Sequence, residues 1–281
     1  MSPRSIPIFR ALALVLLTAT VAACDSKKPD DGDNNRPDAG NTPPGNTPAP
    51  NTVAGEILDP KGAPLPGAVV WIYASFGDTS NAPVKATTNA QGRYQSIELN
   101  SVSPFEAQAY KEVQYNGRRY CVRLAGQTGT EYDPFNTRDG VTLNWRWVMT
   151  GPSNNAQDVW GGSLKFEFDN RAVPFGGDKP IDVELVPDGP LLDGSQGQTV
   201  TKRTTVFSSQ NYQGMVRDVP VGRYRLRAYL VENGGRTPLR LVTQDDARNL
   251  QQEITMMFDG FTECGHTGTF PVTTIGIAAP E

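Results

Sequence analysis

Along most of this chain apolar and polar residues alternate in short runs separated by Gly, Pro, Asn and Asp, the period-two pattern of half-buried strands. The runs 53–59 (VAGEILD), 69–74 (VVWIYA), 84–89 (VKATTN), 93–98 (RYQSIE), 105–113 (FEAQAYKEV) and 118–124 (RRYCVRL) read as strands, and 141–149 (VTLNWRWVM) adds another. Asn116-Gly117 separates two of them, and both central positions of a type I′ hairpin turn require positive φ. Helical periodicity with caps is nearly absent; 245–252 (DDARNLQQ) is the best candidate, for about two turns. The expected class is all-β, with strands and turns spaced as in a sandwich.

The pattern then repeats. The stretch FEAQAYKEVQYNGRRYCVRL (105–124) parallels YRLRAYLVENGGRTPLRLV (224–242): an alternating strand with Ala-Tyr, then Asn-Gly, then a strand ending in Arg-Leu. Strand 69–74 pairs in this scheme with 181–186, and 141–149 with 253–258. Gly92-Arg93-Tyr94 and Gly222-Arg223-Tyr224 sit at different points of the pattern and are not equivalent. Two tandem Greek-key sandwiches follow, at 53–150 and 159–281, with the polar, Gly- and Pro-bearing stretch 150–158 between them.

The N-terminus is of another kind. Arg4 and Arg10 precede an apolar run, 11–20 (ALALVLLTAT), too short to span a bilayer, and small residues lead to Cys24. Val21-Ala22-Ala23-Cys24 resembles the lipobox of bacterial lipoproteins, which implies a signal peptide at 1–23 and a lipid on the Cys24 sulfur. An ordinary signal peptide followed by a chance cysteine is the other reading. Residues 25–52 hold six prolines and almost no large apolar side chain, so they cannot offset the entropy of ordering and read as a disordered tether reaching about 30 Å. Asp25 resembles an inner-membrane retention signal of enteric bacteria, a rule not general across lineages; the membrane stays open. The expected location is the bacterial cell envelope, by lipid anchor.

A second resemblance lies in the first sandwich. VAGEILDPKGAPLPGAVVWIY (53–73) followed by TTNAQGRYQSIEL (87–99) resembles the carboxypeptidase regulatory-like domain. The resemblance implies a prealbumin-like sandwich, an accessory module grouped with carbohydrate-binding-like folds. Asp59, Gly62 and Pro64 make the first turn, and Tyr94 packs inward. The second sandwich keeps VPVGRYRLRAYL (219–230) but lacks the Pro-Leu-x-Gly-Ala turn.

Composition narrows the chemistry. The formal charge of −4 becomes −6 once Arg4 and Arg10 leave with the leader, and no basic cluster suggests nucleic acid. With Cys24 lipidated, Cys121 and Cys264 form an even pair in an oxidising compartment, either bridged or two separate buried thiols. The single histidine, His266, excludes the multi-histidine sites of zinc carboxypeptidases and intradiol dioxygenases. No Gly-x-Ser-x-Gly elbow accompanies it, so no catalytic residue, metal or cofactor is assigned, and a hydrolase using paired carboxylates is only a remote alternative.

A ligand platform has one candidate: Trp145 and Trp147 share one face of a strand, with Tyr132, Phe135 and Trp160 near in sequence, and exposed rings of this kind stack on sugars. The competing reading puts both rings in the core, as it does Trp71. The expected function is a non-catalytic, lipid-anchored binding or structural module, its partner a polysaccharide or an envelope protein; adhesion or spacing without glycan is the alternative.

Overall fold

The structure, a computed structural model, describes residues 48–75, 82–99, 104–154, 158–169, 175–176, 178–206, 214–243 and 249–280. The leader, Cys24 and most of the tether lie outside these residues, as do positions 245–248 of the expected helix; at 249–252 the chain is not helical, and Gln251 instead bridges Leu241.

The first half carries β1 (Val53–Leu58), β2 (Val69–Ala74), β3 (Val84–Thr87), β4 (Arg93–Gln95), β5 (Phe105–Tyr115), β6 (Arg118–Arg123), β7 (Ala125–Gly126), β8 (Val141–Thr142) and β9 (Trp145–Arg146). The second carries β10 (Gly162–Phe168), β11 (Ile181–Leu191), β12 (Val200–Thr204), β13 (Met215–Val219), β14 (Gly222–Glu232), β15 (Gly235–Pro238), β16 (Arg240–Thr243), β17 (Ile254–Met257) and β18 (Val272–Ala278). Apart from one 3-10 turn at Thr130–Tyr132, regular structure among the described residues is β.

Alternation does the folding work. In β2, Val70 and Ile72 are buried while Val69, Trp71 and Tyr73 face the other way; in β5, Ala107 and Ala109 continue the same inner face. Ile57 of β1 and Trp145 of β9 meet them from the opposite sheet in a shared core. The turn after β1 closes because the Asp59 carboxylate accepts the N–H groups of Lys61 and Ala63, both at 2.8 Å. Tyr94 is buried, and its hydroxyl donates to the Leu143 carbonyl at 2.6 Å.

The internal repeat is topological. In the first half one sheet runs β3-β2-β5-β6 and the other β4-β1-β9-β7; in the second they run β12-β11-β14-β15 and β13-β10-β18-β16. Strand for strand the order is the same, including a parallel pairing of first and last strands, β1 with β9 and β10 with β18. Both long hairpins turn on Asn-Gly with positive φ at each residue, 47° and 79° at Asn116-Gly117, 50° and 76° at Asn233-Gly234, which matches the right-handed strand twist.

One expected equivalence fails. Segment 141–149 contains β9, whose counterpart by pairing is β18; β17, inside 253–258, instead pairs antiparallel with β14. A few alternating residues fix a face but not a partner, and the two strands share that alternation without sharing a neighbour. By contrast Gly92-Arg93-Tyr94 leads β4 and Gly222-Arg223-Tyr224 opens β14, which are different places in the repeat.

Candidate functional site

The two halves meet where residues 259–270, between β17 and β18, cross onto the first sandwich. These residues form a strap. β6 is the outer strand of its sheet, so its outward N–H and C=O groups need partners. The strap supplies them at Cys121: its N–H donates to the Phe261 carbonyl at 2.7 Å, and its carbonyl lies 2.9 Å from His266 Nε2. Cys121 is bonded to Cys264. Around this bond the Tyr110 hydroxyl donates to the His266 carbonyl at 2.7 Å, Arg119 Nε to the Thr262 carbonyl at 2.8 Å, and the Arg123 guanidinium to the Thr267 carbonyl.

His266 is central to the strap. Its ring stacks on Phe261 with centroids 3.8 Å apart and meets Tyr110 edge-on. Nδ1 lies 2.9 Å from the Gly268 carbonyl, so both ring nitrogens face backbone acceptors. Burial lowers its pKa, and these two carbonyls oppose the shift without cancelling it. The neutral ring carries one N–H and so donates to one of the two carbonyls at a time.

Further contacts brace the junction. Tyr115 donates to the Pro190 carbonyl at 2.8 Å and accepts the Arg223 N–H at 2.7 Å; Tyr120 donates to the Phe258 carbonyl at 2.8 Å. The linker is held as well: the Asp218 carboxylate accepts the N–H groups of Gly151 and Gly161, and Thr269 of the strap donates to the Val159 carbonyl at 2.7 Å. The core runs through this region, since Tyr115, Tyr120, Tyr224 and Phe258 join one buried cluster.

The aromatic platform is corrected. Trp145 has no exposed surface and Trp147 is 6% exposed, so neither ring can receive a ligand. The physical reason is position: β9 lies between β1 and β7, and Trp145 fills the space under them with Nε1 3.3 Å from the Tyr94 hydroxyl. Trp160 is buried too. Trp71 reverses the core expectation: it lies on the outer face of its sheet, with Lys85 Nζ 4.0 Å above the ring and the strap at Gly265 against its edge. Val70 and Ile72 take the inner face, which forces Trp71 outward. Among the described residues no group of three or more His, Cys, Asp or Glu side chains is placed to hold a metal. No helix among them is long and apolar enough to cross a membrane.

The strap was not legible as a site. Cys121, Cys264 and His266 signalled it; the hydrogen bonds from Tyr110, Arg119, Cys121 and Arg123 end on its backbone carbonyls, which carry no residue signature.

No family model matches the chain, and no curated protein matches it. Among solved structures it is similar to the TIE protein of Bacillus anthracis, 12% identical over 82% of this chain and 34% of that one, with a TM-score of 0.33. This chain thus spans about a third of that protein. It is also similar to a putative cell adhesion protein from Bacteroides ovatus, 12% identical over 76% of this chain and 98% of that one, TM-score 0.23. The major pilin protein T-13 of Streptococcus pyogenes is 12% identical over 83% of this chain and 97% of that one, TM-score 0.24.

Proposed function

We propose that this chain is a non-catalytic, lipid-anchored protein of the bacterial envelope whose two sandwiches act as one stiff arm for spacing and protein interaction. The observation that carries this reading is the double covalent junction: the halves are joined by the braced linker and again by the Cys121–Cys264 bond through the strap. Two tandem modules on a single linker would hinge, whereas a second covalent tie with hydrogen bonds on either side removes that freedom. The tether and Cys24 lipid then set the arm's distance from the membrane. Burial of Trp145 and Trp147 favours the interaction or spacer reading over sugar binding at those rings.

The test is small-angle scattering of the secreted chain carrying Cys24→Ser, with and without Cys121→Ser/Cys264→Ser. An intramolecular pair-distance distribution that broadens on removing the bond supports the stiff arm. An unchanged distribution overturns it. For the anchor, Cys24→Ser in cells moves the protein from the detergent phase to the aqueous phase; a variant that still partitions with membranes rules lipidation out.

A further inference from the structure

The strap is fastened to different halves of the chain at its ends and in its middle. Its ends belong to the second half: the Asp259 N–H donates to Thr273 Oγ1 at 2.7 Å, and the Thr269 hydroxyl donates to the Val159 carbonyl at 2.7 Å. Between them, residues 261–267 clasp the first half through hydrogen bonds to Tyr110, Arg119, Cys121 and Arg123 and through the Cys121–Cys264 bond. The two sulfurs of that bond differ in access. Cys121 is 2% exposed, lying on β6 beneath the strap, whereas Cys264 is partly exposed. Charge does not separate them: Glu112 stands opposite Cys121 in the strand pairing, and its Oε1 is 3.9 Å from Cys264 Sγ, so one carboxylate acts on both. The buried residues that join the halves, Tyr115, Tyr120, Tyr224 and Phe258, all lie outside the strap.

We infer that the Cys121–Cys264 bond is a reducible latch: a dithiol attacks it at Cys264, and its opening lifts residues 261–267 from β6 while both sandwiches stay folded. Which sulfur is attacked depends on access, and Cys264 is the one open to solvent. The reductant's thiolate bonds to Cys264 Sγ as the bond to Cys121 breaks, and the electron pair leaves on Cys121 Sγ, which takes a proton from water. The reductant's second thiol gives up its proton and attacks the reductant's first sulfur. An internal disulfide closes there, Cys264 leaves as a thiolate and is protonated, and two electrons have passed to the protein. Hydrogen bonds alone then hold the middle of the strap, and those from Arg119 and Arg123 stand at exposed positions where water replaces them. The pinned ends make the freed segment a flap hinged near Asp259 and Thr269. This deepens the stiff-arm reading by making stiffness reversible, and it rests on that reading for what the latch controls.

The experiment uses the secreted chain carrying Cys24→Ser with its disulfide intact. Brief exposure to glutathione, an acid quench and peptide mass mapping should place the mixed disulfide on Cys264 at least tenfold more often than on Cys121. Dithiothreitol without denaturant should then reduce the bond fully. On reduction the Cys121 amide, whose acceptor is the Phe261 carbonyl, should exchange at least tenfold faster by NMR, while amides of β1, β2, β10 and β14 keep their protection. Four results would overturn the inference: glutathione equally on both cysteines, a bond that yields only in denaturant, a Cys121 amide that exchanges no faster, or protection lost across both sandwiches. Scattering of the same samples reads the arm separately. A bond that stays shut leaves the stiff arm standing, whereas a strap that opens with no broadening of the pair-distance distribution overturns the stiff arm and keeps the latch.

Discussion

Cys121 on the edge strand of the first sandwich is bonded to Cys264 in the strap of the second, with Cα atoms 5.3 Å apart and a sequence separation of 143. Closing so long a loop in the unfolded chain removes much of its freedom, and the chain-entropy account gives roughly 3–5 kcal/mol. Cys121→Ser/Cys264→Ser should lose about that much in urea unfolding. A loss below about 1 kcal/mol would show that the strap's hydrogen bonds hold the junction unaided.

Trp145→Ala should act on the fold. The ring is fully buried, packs edge-on to Tyr132 at 5.4 Å and approaches the Tyr94 hydroxyl. Truncating a buried tryptophan costs about 3–5 kcal/mol. The expected result is a large drop in melting temperature; a variant that melts like the parent would put the ring back at the surface.

These two residues mark how far the sequence reached. Strand positions, the Asn116-Gly117 turn and the repeat were readable because each depends on local alternation or on positive φ at named residues. The facing of Trp145 and Trp71 was not, since alternation says which residues share a face but not which face meets the core, and that depends on the sheet opposite. The strap was hidden for a different reason. Its register on β6 is set by the carbonyls of Phe261, Thr262 and Thr267, which any residue could supply, and by the His266 ring at the Cys121 carbonyl. The ion pairs on the outer face of the second sandwich were visible only as scattered charges until strand pairing placed Arg203, Asp182, Tyr229 and Pro238 in one row.

Gly260 and Gly268 lie on the same strap and should respond unequally to alanine. A Cβ at Gly260 would stand 2.2 Å from Tyr120 Cδ1, and that ring is buried with its hydroxyl tied to the Phe258 carbonyl, so it cannot swing away. At Gly268 the nearest atom is 3.4 Å away, an ordinary contact. Overpacking of this kind costs about 1–3 kcal/mol. Gly260→Ala should therefore lower the melting temperature by several degrees and Gly268→Ala should leave it nearly unchanged; equal behaviour of the two would mean that the strap does not press on Tyr120.

Protonation of His266 should loosen the strap. In the folded chain burial, helped by the nearby Arg123 charge, holds its pKa below the ordinary 6.5, against the pull of the two carbonyls. The unfolded chain keeps the ordinary value, so below about pH 6.5 it takes up a proton that the fold resists, and stability must decline. The contribution is complete above that pH and is lost as pH falls through the folded pKa. Asp182 does not confuse this window, because the Arg203 hydrogen bond holds its carboxyl below 3.8 and its own loss comes at lower pH. Melting temperatures from pH 7.5 to 5 should therefore fall more steeply for the parent than for His266→Gln, and amide exchange at residues 259–270 should quicken first. A histidine titrating above 6.5 by NMR would reverse the sign: the two carbonyls would then prevail over burial, and mild acid would tighten the junction.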